Sequence, residues 1–231
     1  MTTELTEIVS SKHPGPQRQF PDEVREYYRT LLQRLDWPGS SSQRSLQTLG
    51  ITSCYGGEGV STIACQLAAT AAACDGQRVI LVDGNFVSPA VHRTFGLGRG
   101  PGFADVVVRG KEIADCIQAS GVENLWVLTG GTPPRDPAGV YDSANLPRFI
   151  ETIREHFDLA VFDLPAVGEA SSATRIGGLL DGMLVVVESE RVRREAAQRM
   201  TEQLTEANAR LIGAVLNKRQ QHVPNWLYRT L

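Results

Sequence analysis

The sequence has few of the features that mark disulfide-rich, metal-binding or membrane-spanning proteins. None of its four cysteines forms a C-x-x-C pair, so a zinc site of the usual spacing is disfavoured and buried free thiols are expected. No apolar run approaches the roughly 18 residues of a transmembrane helix, and the first ten residues lack the apolar core of a signal peptide. These absences predict a cytoplasmic protein that reaches the inner face of the membrane only through a partner. The cysteines are Cys54, Cys65, Cys74 and Cys116.

Charge of one sign and aromatic residues are also scarce. The net charge is −3, from 23 basic and 26 acidic residues, so the overall charge predicts no nucleic-acid partner. Aromatic residues make up 6% of the chain, whereas apolar residues make up 42% and charged residues 21%, which is typical of a folded domain. A chain of 231 residues buries enough surface to fold without a disulfide or a structural metal.

The chain divides by composition into four segments. Residues 1–19 are polar, contain two prolines and predict a flexible N-terminal tail. Residues 20–45 combine an amphipathic helix, whose apolar residues recur at three- and four-residue steps, with a serine-rich linker. Residues 46–219 predict one α/β domain, and residues 220–231 predict a C-terminal tail.

Within the α/β domain, short apolar runs alternate with longer helical patterns. The apolar runs occupy residues 49–52, 79–82, 125–128, 159–162, 183–187 and 211–216. The helical patterns occupy residues 61–73, 146–157, 172–180 and 194–209. Continuous apolar strands that alternate with helices indicate a parallel sheet covered by helices on both faces.

A glycine-rich segment joins the first predicted strand to the first helix of this domain. Gly56, Gly57 and Gly59 allow the backbone to turn tightly, so that successive N–H groups point into one concavity. The N-terminus of the following helix reinforces such a cradle for phosphate groups. Ser61 lies where the hydroxyl of a P-loop binds Mg²⁺. The segment therefore predicts a nucleotide-binding loop in a P-loop NTPase-like fold.

Residues 57–62, GEGVST, resemble the GEGKST loop of bacterial tyrosine kinases (BY-kinases), which govern capsule and exopolysaccharide export. This family belongs to the MinD/ParA-like class of P-loop ATPases. Further segments resemble family motifs in the same order along the chain, so the resemblance covers residues 26–218. These segments are residues 26–31 (EYYRTL), 79–85 (VILVDGN), 89–97 (PAVHRTFGL), 130–137 (GGTPPRDP), 160–165 (AVFDLP) and 215–218 (VLNK).

The resemblance implies the roles of individual residues. Asp83 and Asp163 match the catalytic aspartates that follow two strands, and together with Ser61 they would hold Mg²⁺. Asn217 matches the position that contacts adenine in related ATPases. The implied cofactor is ATP or ADP with Mg²⁺. The residues expected to bind nucleotide are Gly56, Gly57, Glu58, Gly59, Val60, Ser61, Thr62 and Asn217.

The most consequential departure from the family pattern is Val60, which replaces the lysine of the loop. That lysine reaches the β- and γ-phosphates, and such a charge-assisted bond contributes about 1.5–3 kcal/mol to binding. Loss of a preorganised donor in the transition state costs roughly two to three orders of magnitude in rate. The lysines that could replace it, Lys12, Lys111 and Lys218, all lie far from the loop in sequence.

Other departures affect the metal site, self-association and autophosphorylation. Asn85 replaces the second carboxylate of the D-x-D motif, and an amide places no negative charge beside Mg²⁺. Leu32 replaces the last arginine of the E-x-x-R-x-x-R oligomerisation motif, which retains Glu26 and Arg29. The C-terminal tyrosine cluster of the family is reduced to Tyr228.

The leading hypothesis is a catalytically impaired BY-kinase-like protein of exopolysaccharide or capsule biosynthesis or export, with weak or absent nucleotide binding. It would bind a membrane-embedded chain-length regulator or an active paralogue, and would form a homo-oligomer through the helix that carries Glu26 and Arg29. One alternative is an active ATP-dependent protein-tyrosine kinase or ATPase with a relocated cation. The other alternative is a MinD/ParA-like positioning ATPase.

Overall fold

The structure, a computed structural model, describes residues 2–10, 22–35, 46–73, 76–132 and 135–219. The strands are β1 (Thr48–Ser53), β2 (Val79–Asp83), β3 (Ile117–Ala119), β4 (Leu125–Leu128), β5 (Leu159–Asp163), β6 (Gly182–Glu188) and β7 (Leu211–Asn217). The helices are α1 (Thr2–Ser10), α2 (Asp22–Arg34), α3 (Val60–Ala72), α4 (Val91–Phe95), α5 (Phe103–Arg109), α6 (Ala138–Tyr141), α7 (Leu146–His156), α8 (Ser172–Gly177) and α9 (Arg194–Glu206).

The strands form one seven-stranded sheet in the order β3-β4-β2-β5-β1-β6-β7. Six strands are parallel, which confirms the predicted parallel sheet. The edge strand β3 runs antiparallel to β4 and was not predicted. It has only three residues, and its side chains are at most half-buried, so it lacks the continuous apolar run that marks the buried strands.

Helices cover both faces of the sheet, as predicted. One face packs against α5, α7, α8 and α9 around a group of aromatic rings that includes Phe103, Phe149 and Phe162. The other face packs against α2, α3 and α4. The buried residues of α3 include several alanines, whose small side chains allow the helix that follows the glycine-rich loop to lie close to the sheet.

The prediction of a flexible tail at residues 1–19 was wrong for its first half. Thr2–Ser10 forms α1, whose Leu5 and Val9 are buried against the face that carries α7. These two residues are four positions apart, so they lie on one side of the helix, but two apolar residues are too short a pattern to identify it. The rest of this tail, the linker at 36–45 and the tail at 220–231 lie outside the described residues.

Three of the four cysteines, Cys54, Cys65 and Cys116, are buried free thiols as expected, and Cys74 lies outside the described residues. The amphipathic helix predicted within residues 20–45 is also present, as α2. Its Leu32, which replaces an arginine of the family motif, is buried against α3, whereas Glu26 and Arg29 are exposed. Within the described residues, no helix combines the length and the apolar character needed to cross a membrane.

Asp181 joins three elements at the amino ends of the strands. Its Oδ2 accepts hydrogen bonds from the backbone N–H groups of Gln47 and Thr48 at 3.1 and 2.8 Å, and from Thr48 Oγ1 at 2.9 Å. Its Oδ1 accepts a hydrogen bond from Arg154 Nη2 of α7 at 2.9 Å. The carboxylate thereby connects the start of β1 to α7 and to the turn before β6.

Asp181→Ala is expected to lower the free energy of unfolding by about 2–4 kcal/mol, because it leaves two backbone N–H groups and a guanidinium without their charged acceptor. Urea denaturation followed by circular dichroism measures the change. Asp142→Ala is the matched control, since Asp142 pairs with Arg175 at an exposed site where an ion pair contributes about 1 kcal/mol or less. Equal losses for the two variants would contradict the assigned role of Asp181.

Candidate nucleotide-binding site

The carboxyl ends of the parallel strands meet at one edge of the sheet and surround the glycine-rich loop. The loop connects β1 to α3, and Gly59 lies directly before the first residue of that helix. Gly57 and Gly59 have φ of 83° and 99°, a left-handed region that favours glycine. A Cβ atom on Gly59 would also lie 2.3 Å from Asn217 Nδ2. The structure therefore confirms a tight loop that leads into a helix N-terminus.

Glu58 uses its side chain to hold this loop in place. The carboxylate is fully buried, its Oε1 accepts a hydrogen bond from the Tyr55 N–H at 2.7 Å, and its Oε2 accepts one from the Glu188 N–H at 3.0 Å. Asn217 Nδ2 donates to the Glu58 carbonyl at 2.8 Å. The structure thus brings Asn217 from the end of β7 to the loop, as the resemblance implied, while its contact with adenine stays a prediction.

Val60 begins α3, and its side chain belongs to the apolar cluster between α3 and the sheet. At 7% exposure it is buried, whereas Ser61 is partly exposed and Thr62 is exposed. Because valine has no polar atom, this position contributes only its backbone to a bound phosphate. The cationic contact that a lysine would make here is absent from Val60.

Asp83 and Asp163 are the last residues of β2 and β5, and they are paired in register on these neighbouring strands. Both side chains are fully buried. Asp83 accepts hydrogen bonds from the backbone N–H groups of Asn85 at 3.2 Å and Val91 at 3.3 Å. Neither carboxylate oxygen of Asp163 forms a hydrogen bond of good geometry within the described part of the chain, although the Ser61 side chain lies near enough to favour the charged form. Asp163 is therefore the acceptor in this site that still needs a ligand or a proton.

Burial changes the protonation of both aspartates. Desolvation raises the pKa of Asp83 to about 6, although the N–H groups of Asn85 and Val91 and the nearby charge of Arg93 oppose the shift. Desolvation and the neighbouring Asp83 carboxylate raise the pKa of Asp163 well above its usual range, and the Ser61 side chain partly opposes this. A divalent cation between these groups would take the place of the proton that burial favours, so the donor set fits Mg²⁺.

Asn85 takes part in a local turn. Its N–H donates to Asp83, and its Oδ1 accepts a hydrogen bond from the Ser88 N–H at 3.0 Å. The amide oxygen therefore already has a partner in the loop after β2, and Asn85 adds no charge to the aspartate pair.

One of the candidate lysines lies at the loop despite its distance in sequence. Lys218 Nζ donates to the Gly57 carbonyl at 2.7 Å and contacts Glu188 Oε2 at 3.2 Å. Arg191 Nη1 contacts the same oxygen at 2.9 Å. Sequence reasoning missed Glu188 and Arg191, because no local pattern shows that the end of β6 lies beside the loop. Lys111 lies beside α5 in another part of the fold, and Lys12 is outside the described residues.

A glycine-rich loop between the first strand of a parallel sheet and a helix, with aspartates at the ends of two adjacent strands, defines a P-loop NTPase fold of the MinD type. Solved structures share this fold. The chimerical protein CapA2B2 is 23% identical, is aligned over 96% of this chain and 100% of its own, and has a TM-score of 0.78. The septum site-determining protein MinD of Pyrococcus horikoshii, complexed with Mg-ADP, is 21% identical over 80% and 76% of the two chains, with a TM-score of 0.63.

Sequence comparison identifies the family within this class. The tyrosine-protein kinase YwqD of Bacillus subtilis is 31% identical over 192 residues, which cover 83% of this chain and 80% of YwqD. No protein-family model matches the chain. On the strength of the match to YwqD, the chain belongs to the bacterial tyrosine kinase family, with valine in place of the P-loop lysine.

Proposed function

We propose that this protein serves exopolysaccharide or capsule biosynthesis or export as a regulatory, partner-binding member of the BY-kinase family, with weak nucleotide binding and impaired phosphotransfer. The main observation behind the proposal is that the site lacks the positively charged side chain of the P-loop lysine. Val60 is buried in the core at the lysine position, and within the described residues neither Asp83 nor Asp163 forms an ion pair with a lysine or arginine.

Phosphotransfer depends on positive charge where negative charge develops on the transferred phosphoryl group. The loop offers backbone N–H groups and the N-terminus of α3, which supply partial charges. Glu58 adds a buried carboxylate behind the loop, and Glu169 lies so close that a Cβ atom on Gly56 would be 2.2 Å from its Oε1. The backbone N–H groups support weak retention of a nucleotide, whereas the two carboxylates add negative charge that opposes stabilisation of the transition state.

Mg²⁺ would be held by Ser61 Oγ, by the carboxylate of Asp163 and, through its second shell, by Asp83. When bound, the metal supplies charge neutralisation for the nucleotide phosphates. The residues of the chain then act as a positioning scaffold: the loop N–H groups donate to phosphate oxygens, and Asn217 braces the loop.

The proposed partner is a membrane-embedded polysaccharide chain-length regulator or an active paralogue, reached from the cytoplasmic side. The outer face of α2 supports an interaction role, because Glu26 and Arg29 are exposed and Tyr27 is 79% exposed. A large aromatic ring with such exposure is typical of contact surfaces. Self-association through this helix belongs to the same proposal.

The contact of Lys218 with the loop favours one second candidate, an active kinase in which Lys218 acts as the relocated cation. In the present structure its Nζ donates to a carbonyl oxygen on the loop and not toward Asp163. The MinD-type positioning role has less support, because the relation to MinD rests on the fold alone, whereas the relation to a tyrosine kinase reaches 31% identity.

The first test compares autophosphorylation and ATP turnover of the purified chain with those of its Asp163→Asn variant. Because the wild-type site lacks the P-loop lysine, the wild type and Asp163→Asn are expected to agree within about threefold in each of these two rates. A wild-type rate more than tenfold above that of Asp163→Asn would show real catalysis and would contradict the impairment. The readouts are phosphotyrosine detection and release of inorganic phosphate.

The second test separates regulation from catalysis in cells. Deletion of the gene is expected to change the amount or chain length of the polysaccharide, and expression of Asp163→Asn is expected to restore it as fully as the wild type. Restoration by the wild type alone would assign the effect to chemistry at Asp163 and would contradict a purely regulatory role.

A further inference from the structure

Two cations converge on one carboxylate beside the phosphate loop. Arg191 follows β6 and Lys218 follows β7, and each contacts the same oxygen, Oε2 of Glu188, at 2.9 and 3.2 Å respectively. One carboxylate neutralises one of these charges. The three side chains of Glu188, Arg191 and Lys218, termed the β6–β7 charge cluster below, therefore carry a net positive charge among themselves, and the carboxylates of Glu58 and Glu169 also interact with Arg191.

Both cations also lie against Gly57. Lys218 Nζ donates to its carbonyl at 2.7 Å, and a Cβ atom on Gly57 would lie 3.6 Å from Arg191 Nη1. The side chains of Arg191 and Lys218 are 48% and 47% exposed, whereas that of Glu188 is 18% exposed. The carboxylate thus lies beneath the cations, and the cations face solvent at the rim of the loop.

The two side chains keep hydrogen-bond donors for a further ligand. Lys218 uses two of the three donors of its ammonium group, and the planar guanidinium of Arg191 has five. The backbone is unusual at Lys218 itself, with φ of 55°, and at Glu190, the residue before Arg191, with φ of 66°. Non-glycine residues rarely adopt this conformation, and such positions concentrate at ligand-binding sites.

We infer that Lys218 and Arg191 bind the phosphate groups of a nucleoside polyphosphate at the rim of the loop, and so replace part of the binding provided elsewhere by the loop lysine. The inference rests on the proposed nucleotide binding of this site and adds the residues that supply its positive charge. Glu188 holds both cations in position before the nucleotide arrives, and it competes with the phosphates for them.

A structural alternative assigns Lys218 only to bracing the loop from outside. The two roles predict different responses to charge-conserving changes. A phosphate-binding cation tolerates arginine in place of lysine, and its affinity increases when the competing carboxylate is neutralised. If Lys218 only braces the loop, neutralisation of Glu188 lowers the stability of the protein, because the ion pair that positions Lys218 is lost.

Calorimetric titration of the full chain with Mg-ATP and Mg-ADP tests the inference. Lys218→Ala is expected to weaken Mg-ATP binding about 10- to 100-fold, because a charge-assisted bond to phosphate is lost. Lys218→Arg is expected to retain affinity within about threefold of the wild type. Glu188→Gln is expected to strengthen Mg-ATP binding by about two- to fivefold, and the exposed control Lys111→Ala is expected to change it less than twofold. Thermal unfolding of each variant confirms that the fold is intact.

Three results would overturn the inference: equal affinity of Lys218→Ala and the wild type, equal loss in Lys218→Ala and Lys218→Arg, or weaker binding by Glu188→Gln. Absence of measurable Mg-ATP binding by the wild type would overturn it as well. These outcomes are separate from those of the phosphorylation assay. High wild-type activity in that assay would contradict impaired phosphotransfer, but it would not contradict phosphate binding by Lys218 and Arg191.

Discussion

Val60→Lys is expected to raise ATP turnover about 100- to 1,000-fold above that of the wild type. The lysine would add a preorganised cation at the start of α3, and removal of a comparable donor from an active site costs roughly 2.7–4 kcal/mol in the transition state. The backbone around residue 60 already has the required form, since Gly59 lies before the helix and the loop is closed by Glu58 and Asn217. Steady-state release of phosphate measures the change.

Val60→Met is the matched control, because it has a similar length without a charge. It is expected to leave turnover at the wild-type level, while both variants lose up to about 2 kcal/mol of stability from the displaced valine. Equal turnover in Val60→Lys and the wild type would show that further changes, Asn85 among them, limit the site. That result would contradict the assignment of the main defect to residue 60.

Asp163→Asn is expected to increase the free energy of unfolding at pH 7 by about 2 kcal/mol or more in the absence of Mg²⁺ and nucleotide. The wild-type carboxylate forms no hydrogen bond of good geometry within the described part of the chain, and it lies beside Asp83 in the sheet interior. Removal of a buried charge without a partner relieves its desolvation cost and the repulsion between the two aspartates. The same change removes a ligand that Mg²⁺ would need.

The dependence of this gain on pH has a defined sign. A carboxyl group whose pKa is raised in the folded state stabilises the fold fully below its unfolded pKa, and this contribution is lost as pH rises through the folded pKa. For Asp163 the loss begins above the ordinary aspartate pKa of 3.8 and extends well beyond it. Asp83, whose pKa is raised to about 6, loses its contribution between the ordinary aspartate pKa and about pH 6.

Urea denaturation of the wild type and of Asp163→Asn at pH 4 and pH 7, in a chelating buffer, measures this difference. The two proteins are expected to agree at pH 4 and to diverge at pH 7. Asp115→Asn, which alters an exposed carboxylate, is expected to change stability by less than about 0.5 kcal/mol at either pH. Mg²⁺ with ATP is expected to stabilise the wild type and not Asp163→Asn, and a larger gain for the variant at pH 4 would contradict the buried-charge explanation.

Much of the fold could be predicted from the sequence because its central elements have strong local patterns. The six parallel strands are continuous apolar runs, and α3, α7, α8 and α9 follow helical patterns. The elements that were missed are short or weakly patterned. The three residues of β3 pair only at the sheet edge, and α1 depends on a groove that other elements create for Leu5 and Val9.

Within the site, chemistry that depends on residue type was predictable and chemistry that depends on proximity was not. The loss of the lysine at Val60 and the positions of Asp83 and Asp163 follow from local motifs. The cation at Lys218 lies 161 residues from Gly57 along the chain, so no local pattern connects them. They meet because β1, β6 and β7 are parallel neighbours, and their carboxyl ends therefore share one edge of the sheet.

The sequence by itself determined the family, the parallel sheet and the absence of the loop lysine, because each follows from local motifs and local patterns in their order along the chain. Only the tertiary structure decided the electrostatic state of the site. Burial leaves Asp163 without a hydrogen bond of good geometry among the described residues and raises its pKa, and strand order brings Lys218 and Arg191 to the loop. Desolvation and charge pairing depend on distances between segments remote in sequence, and folding alone sets those distances.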